Sequence, residues 1–392
     1  MTQPSTRTIH AGQSPDEATG AVSRPLHLSS TFRHDSVGVL RAGFEYTRTG
    51  NPTRSALQDT LAELEGGRSA LTFASGMAAE DAVLRALTGP GAHVLLGDDA
   101  YAGTHRLLES TYGAWGVTLA TVDLTDVDAV RASVTAQAPT VVWVETPSNP
   151  LLRIVDVAAV AEIAHAVGAV VVVDNTFATP YLQQPITLGA DLVLHSLTKY
   201  LGGHSDVVGG AVVLADDRWR ESLADLQNDT GTGLAPFDSW LVSRGIKTLA
   251  VRMDRHCTNA ARVADALTAH DLVTEVAYPG LATHPGHDVA ARQMSGFGGM
   301  VSVRLRDAET ARTFVESTEL FTLAESLGGV ESLIEHPATM THLAAVGTPL
   351  QVPDDLVRIS VGIEDAGDLV DDLHAALDLA RSATGTRVTG RA

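Results

Sequence analysis

The stretch AVVVVDNTFATPYLQQPITLGADLVLHSLTKYLGG (169–203) holds two short apolar runs, and each gives way at its end to polar residues. Neither run alternates apolar with polar side chains. Alternation marks a strand with one wet face, whereas continuous Val and Leu mark a strand covered on both faces, as in a mostly parallel sheet. Five more runs have this form: SALTFAS (69–75), AHVLLGD (92–98), VTLATVD (117–123), TVVWVET (140–146) and GGAVVLA (209–215). Amphipathic segments such as MAAEDAVLRALT (77–88) and VAAVAEIAHAVG (157–168) lie between several of them. Strand–helix alternation at this spacing predicts an α/β fold built on a mostly parallel, seven-stranded sheet. Ligands of such sheets bind beyond the carboxyl ends of the strands, so the residues after each run are the candidates for chemistry.

Outside this region the pattern changes. Residues 1–52 are rich in Gly, Pro, Ser and Thr and lack periodicity, which reads as an arm packed on a neighbouring subunit. The sheet and its helices occupy about 53–250, and 251–392 reads as a smaller C-terminal α+β domain, with GGMVSVRLRD (298–307), DDLVRISVG (354–362) and a final helix at 365–380. The tail from 381 carries no pattern and is expected to be unstructured. The chain of 392 residues has a formal charge of −20, which argues against nucleic acid or an anionic membrane as partner. Cys257, the single cysteine, cannot form an intrachain disulfide, and the N-terminus lacks the apolar run of a signal peptide. A cytoplasmic protein is expected.

Taken singly, the strand ends are ambiguous. Ser75-Gly76-Met77 falls between a strand and a helix start, where free N–H groups favour an anion, although a glycine there is often only structural. Tyr101, after the run ending at 98, could cover a flat ligand or fill an interface. Asp174 follows directly on four valines, and a carboxylate so placed is costly to desolvate without a partner. It could cap the next element or face a cationic ring nitrogen. Ser196, Thr198 and Lys199 close the following run.

Lys199 breaks the ambiguity. The chain has 27 Lys and Arg in all, of which only Lys199 and Lys247 are lysine. Arginine replaces lysine readily for surface charge, but a guanidinium neither loses its proton nor forms an imine. An amine retained at a strand's carboxyl end points to amine chemistry. Pyridoxal 5'-phosphate satisfies the whole set: it needs a Schiff-base lysine, an acid at the ring nitrogen and an anion site for its phosphate. Lys199 and Asp174 fill the first two roles, and Gly76, Met77, Ser196 and Thr198 the third.

With those residues in view, the chain resembles the cystathionine γ-synthase/γ-lyase family of pyridoxal-phosphate enzymes, which have the aspartate-aminotransferase-like fold (PLP-dependent transferase fold type I). The resemblance runs from HAGQ (10–13) to VRISVGIED (357–365), through EYTRTGNPTR, SGMAA, VETPSNP, VDNTFATP, HSLTKYLGGHSDVVGG and AESLGGVESLIEHPATMTH. It implies that Lys199 carries the cofactor and moves protons between substrate carbons, that Asp174 holds the pyridine nitrogen, and that Tyr101 stacks on the ring. Tyr46 and Arg48 would reach the phosphate in a neighbouring subunit's site. Arg358 would clamp the substrate α-carboxylate, with Asn149 and Ser326 nearby. The family implies a homotetramer, a dimer of dimers with shared sites, acting on small amino acids.

Glu325 resembles the γ-synthase and γ-lyase pattern, since β-lyases of the family usually have an aromatic residue there. Glu45 and Arg106 also look like the transsulfuration enzymes, where they would address the distal amino and carboxylate groups of cystathionine. Gly103 stands where methionine γ-lyases typically carry cysteine. The expected activity is therefore γ-replacement with cysteine to give cystathionine, or γ-elimination of cystathionine to cysteine, 2-oxobutanoate and ammonia. A methionine γ-lyase, an O-acetylhomoserine sulfhydrylase and a catalytically silent binding protein on the same fold are the alternatives. A nicotinamide enzyme would need a G-x-G-x-x-G after its first strand, which FASGMAAED lacks. The spacings HPGH (284–287) and EHPATMTH (335–342) suggest metal ligation, but no HExxH helix or Cys-rich cluster supports it, and no metal is expected.

Overall fold

The apolar runs form one sheet. In the computed structural model, which describes residues 2–387, its strands are β1 (Ser69–Phe73), β2 (His93–Gly97), β3 (Thr118–Val122), β4 (Val141–Glu145), β5 (Val170–Asp174), β6 (Leu192–Ser196) and β7 (Gly210–Leu214). Their order is β1-β7-β6-β5-β4-β2-β3, all parallel except β7, which runs antiparallel to both neighbours. Alternate residues of each strand enter different cores. Val142, Val144, Val171, Val173 and Val193 pack on one face, and Val141, Trp143, Val172, Leu192 and Leu194 on the other. Each such side chain contributes about 1.5–3 kcal/mol on burial, which is why neither face tolerates polar alternation.

Helices cover both faces. Helix α1 (Pro52–Glu65) starts at Asn51, whose side chain accepts from Thr53 N at 2.9 Å, and ends at Gly66 with φ +73°. Helix α2 (Gly76–Leu87) follows β1 directly and is capped by Ser75, which accepts from Ala78 N. Register then gathers the polar strand ends: Glu145 pairs with Asp174, Asp174 with Leu194, and Ser196 with Gly210. Gly210 has no room for a side chain, since a Cβ there would lie 2.1 Å from Ser75 O. This close approach seats the start of α2 on the first residue of β7, beside its partner Ser196 at the end of β6.

A second sheet of five strands has the order β8-β9-β12-β11-β10: β8 (Val273–Ala277), β9 (Met300–Leu305), β10 (Thr322–Leu323), β11 (Leu333–Glu335) and β12 (Leu356–Ser360). Helix α3 (Leu249–Thr268) spans both cores, with Leu249 and Met253 in the large one and Ala260, Val263 and Leu267 in the small one. The final helix, α4 (Ala366–Arg387), extends past residue 380 into the tail expected to be unstructured, and 388–392 lie outside the described residues. The N-terminal arm is irregular apart from a short helix, Pro4–His10, and a two-stranded ribbon of His34–Ser36 and Val39–Leu40. Among the described residues no helix is long and apolar enough to cross a membrane.

Candidate active site

A cavity of about 210 Å³ opens where β4, β5 and β6 end and α2 begins, and the second sheet closes its other side. Gly76, Met77, Tyr101, Asn149, Asp174, Ser196, Thr198, Lys199, Glu325, Ser326 and Arg358 all line it. Four expected site residues lie elsewhere. Arg106 ends the short helix after Tyr101 and is exposed, outside the cavity lining. Glu45, Tyr46 and Arg48 are exposed on the arm: Glu45 is 3.8 Å from His34 Nε2, and Arg48 donates to Asn228 O at 3.1 Å.

Lys199 follows β6 in a tight turn and reaches across to the loop between β10 and β11 of the second sheet, where its Nζ donates to Ser326 Oγ at 2.8 Å. Burial lowers its pKa to about 8, and the Arg358 charge adds to the effect, while Glu335 and Glu325 oppose it. Ser326 has φ +90°, an uncommon conformation for a residue with a side chain. That backbone turns its hydroxyl to Lys199 and its carbonyl to Arg358 NH2 at 2.8 Å. Local strain here links the amine to the guanidinium.

Arg358 sits on β12 with 3% of its surface exposed. Its NH1 donates to Asn149 Oδ1 at 2.9 Å and lies 3.1 Å from Glu335 Oε1, its cross-strand partner on β11. An ion pair alone would raise the arginine's pKa and lower the glutamate's. Burial moves both the other way, toward the neutral forms, and outweighs the pairing. Arginine nevertheless keeps its proton. Its Nε–H is buried and has no partner among the described residues, so the fork retains a donor for a carboxylate.

Asp174 opens into the cavity from the end of β5. Its Oδ1 accepts from Thr176 N at 2.9 Å, and no cation forms an ion pair with it among the described residues. Burial raises its pKa, whereas the Thr176 hydrogen bonds and the charge of His195 pull it down. Beneath it, His195 pairs with Glu65 at 2.6 Å, and both are fully buried. Tyr101 is 37% exposed, with its backbone N donating to Glu145 Oε2 at 2.8 Å. Its ring lies across Gly103, where a Cβ would come within 2.3 Å of Cε1.

The donor set suits a phosphorylated pyridine aldehyde. The N–H groups at the start of α2 have no intrahelical partners and carry the positive end of the helix dipole. Ser196 and Thr198 add hydroxyls, and a Cβ at Gly76 would fill the space 3.3 Å from Ser196 Cβ. Among the described residues Asp174 has no cation in an ion pair, and Lys199 holds a weakly basic amine. Pyridoxal phosphate would offer a partner for each.

Sequence reasoning missed Glu80, Glu335 and Thr341, all close to this machinery. Glu80 and Thr341 line the cavity, and Thr341 donates to Glu335 Oε1 at 2.8 Å. Glu80 could have been found from its position one helical turn after Gly76. The histidines of the two suspicious spacings bond to other protein groups: His287 to Pro279 O, His284 to Gly286 N, His336 to Asp354 O and His342 to Thr341 Oγ1. Among the described residues no group of three or more potential ligands could hold a metal ion.

The family model for Cys/Met metabolism PLP-dependent enzymes matches residues 5–378. The cystathionine gamma-synthase of Mycobacterium bovis is 58% identical over 375 residues, spanning 95% of this chain and 96% of that protein. The solved structure of metB from Corynebacterium glutamicum superposes with a TM-score of 0.95 at 53% identity, covering 96% of this chain and 98% of that one. The cystathionine beta-lyase of Lactococcus lactis subsp. cremoris (strain MG1363) is 49% identical over 382 residues, spanning 96% of this chain and 100% of that protein.

Proposed function

Because this chain belongs to the Cys/Met metabolism PLP-dependent enzymes, we propose that it acts as a cystathionine γ-synthase, exchanging the acyloxy group of an activated homoserine ester for the thiol of cysteine. Pyridoxal phosphate is the cofactor of the family. When bound, it supplies an electron sink that stabilises negative charge on substrate carbons. Lys199 would hold its aldehyde, Asp174 its ring nitrogen, Tyr101 its ring face, and Gly76, Met77, Ser196 and Thr198 its phosphate.

The chain's own residues divide the remaining work. Arg358, with Asn149 beside it, would hold the α-carboxylate, and Ser326 ties that clamp to Lys199 so that the proton carrier and the bound substrate keep one relative position. An amine with a pKa of about 8 both takes and returns a proton near neutrality, which suits successive proton transfers at Cα and Cβ. Glu325, exposed on the cavity wall next to Ser326, would meet a distal ammonium group, and Glu45 and Arg106 would act further out.

The observation that carries the reading is the contact of Lys199 with Ser326, which brings the amine from the first sheet to the carboxylate clamp on the second. The γ-synthase assignment is further supported by the Mycobacterium relative and by the acid at 325. It is tested by offering O-succinyl- or O-acetyl-homoserine with cysteine, then cystathionine alone. The proposal expects the larger specificity constant for the first pair, and a preference for cystathionine cleavage would replace it with a lyase.

The assembly we favour is a homotetramer in which the arm delivers Tyr46 and Arg48 to a neighbour's phosphate. Val22, Leu28 and Val37 on that arm are 83%, 68% and 104% exposed, as expected of a segment that packs on another subunit. Sedimentation of the purified protein as a monomer would refute this. The cytoplasm is the compartment that suits a single unpaired cysteine, Cys257.

A further inference from the structure

Three carboxyl groups share one wall of the cavity. Glu80 comes from the first turns of α2, Glu145 from the end of β4 and Asp174 from the end of β5. Glu80 is 3% exposed and Glu145 7%. Among the described residues none of the three has a cation in an ion pair. Three neighbouring carboxylates cannot all stay ionised in such surroundings, because each charge adds to the desolvation cost of the others.

Their hydrogen bonds differ. Asp174 accepts from the backbone N–H of Thr176, and Glu145 from that of Tyr101, which pins the start of the short helix. Glu80 accepts only from the Thr104 hydroxyl, at 2.8 Å, and its other oxygen has no partner among the described residues. Glu80 also lies close enough to Tyr101 and Asp174 for its charge to bear on both. It lines the same cavity as the group expected to cover the cofactor ring and the group expected to hold the ring nitrogen.

We propose that Glu80 is a further functional residue of this site, a carboxylic acid that keeps its proton and so leaves Asp174 as the anion facing the cofactor. It is a positioning residue that acts through Asp174. Burial, with the Asp174 charge second, raises its pKa to about 8, and the Thr104 hydrogen bond limits the rise. The groups facing it are Asp174 from β5, Glu145 from β4 and Tyr101 from the loop after β2. Lys199 and Arg358 stand on the cavity lining as well. Below about pH 8 the acid is neutral. Above it, a further negative charge joins Asp174, beside a Glu145 carboxyl that burial and the Asp174 charge also hold well above the ordinary carboxylate range, so that protons on Asp174 and Tyr101 are held more tightly.

The consequence for the ring nitrogen rests on the cofactor reading above, but the test does not. Infrared difference spectra of cofactor-free protein should show a protonated-carboxyl component at neutral pH that is lost with a midpoint near 8 and is missing in Glu80→Gln, while any component from Glu145, whose pKa burial also raises, stays in both. Thr104→Val, which removes the donor that favours the anion, should move that midpoint upward. A second readout is stability against pH. The folded state holds a proton that the unfolded chain releases, so wild type should lose stability relative to Glu80→Gln as pH rises from about 5 to about 8 and then level off. Identical infrared spectra for wild type and Glu80→Gln, a band titrating in the ordinary carboxylate range, or an unmoved midpoint in Thr104→Val would each overturn the proposal. None of these outcomes bears on Lys199, whose linkage is mapped separately.

Discussion

Replacing Gly103 by alanine should loosen the cofactor without unfolding the protein. The added Cβ would lie 2.3 Å from Tyr101 Cε1, 2.9 Å from Cζ and 3.0 Å from Cδ1, about 1.1 Å short of ordinary contact at the nearest point. Either the backbone or the ring must move. Tyr101 N is fixed by Glu145, and Tyr101 O accepts from Thr104 N, so the backbone is tied on both sides. The ring is 37% exposed and swings on two single bonds, so it is the part that yields. A displaced ring would lose the stacking on the pyridine proposed for it, worth about 0.5–1.5 kcal/mol, which corresponds to a cofactor Kd roughly 2- to 12-fold higher. Titration of the cofactor-free variant with pyridoxal phosphate measures this directly, and a thermal melt of the same protein should be nearly unchanged. An unaltered Kd together with a lowered Tm would refute the reasoning, because the backbone rather than the ring would then have given way.

Other substitutions probe neighbouring parts of the site. Gly210→Ala drives a Cβ to within 2.1 Å of the Ser75 backbone O, which has no flexible side chain to yield, and should spread the phosphate cradle at a cost of about 1–3 kcal/mol; the variant should purify without the cofactor's visible absorbance. Arg358→Lys keeps the charge but loses the fork, and one charged hydrogen bond of about 1.5–3 kcal/mol predicts a fall of roughly 10- to 150-fold in kcat/KM. Glu325→Ala removes an exposed charge, so a modest rise of roughly 2- to 5-fold in KM for cystathionine is expected, with cofactor binding intact. In cofactor-free protein, acylation of Lys199 should accelerate with pH to a midpoint near 8, as burial lowers its pKa; peptide mapping separates it from Lys247.

The seven strands were legible because a strand buried on both faces writes itself as an unbroken apolar run, as Val170–Val173 does between two cores. The residues at their ends were legible for the converse reason: Asp174 and Lys199 follow apolar sequence at a desolvation cost, which draws the eye to them as candidate site groups. Other features have no local signature. Ser326 is marked by a backbone angle rather than by its residue type. Glu335 meets Arg358 through strand register, and in the sequence it looked like part of a histidine-rich loop. Glu80 sits in a helix where an acid ordinarily reads as a solvated face; its spacing from Gly76 puts it on the cavity side, but its enclosure comes from the packing of α2 against the sheet. The tail was misjudged at 381–387 because the last helix continues beyond its apolar pattern.

Covalent trapping is the most direct test of the central claim, that the Lys199 amine is the group that binds the cofactor. The protein reconstituted with pyridoxal phosphate is treated with borohydride, digested and mapped by mass spectrometry. The account predicts one labelled peptide, modified at Lys199, and none in Lys199→Arg. A label at Lys247, or none on the wild-type chain, would contradict it.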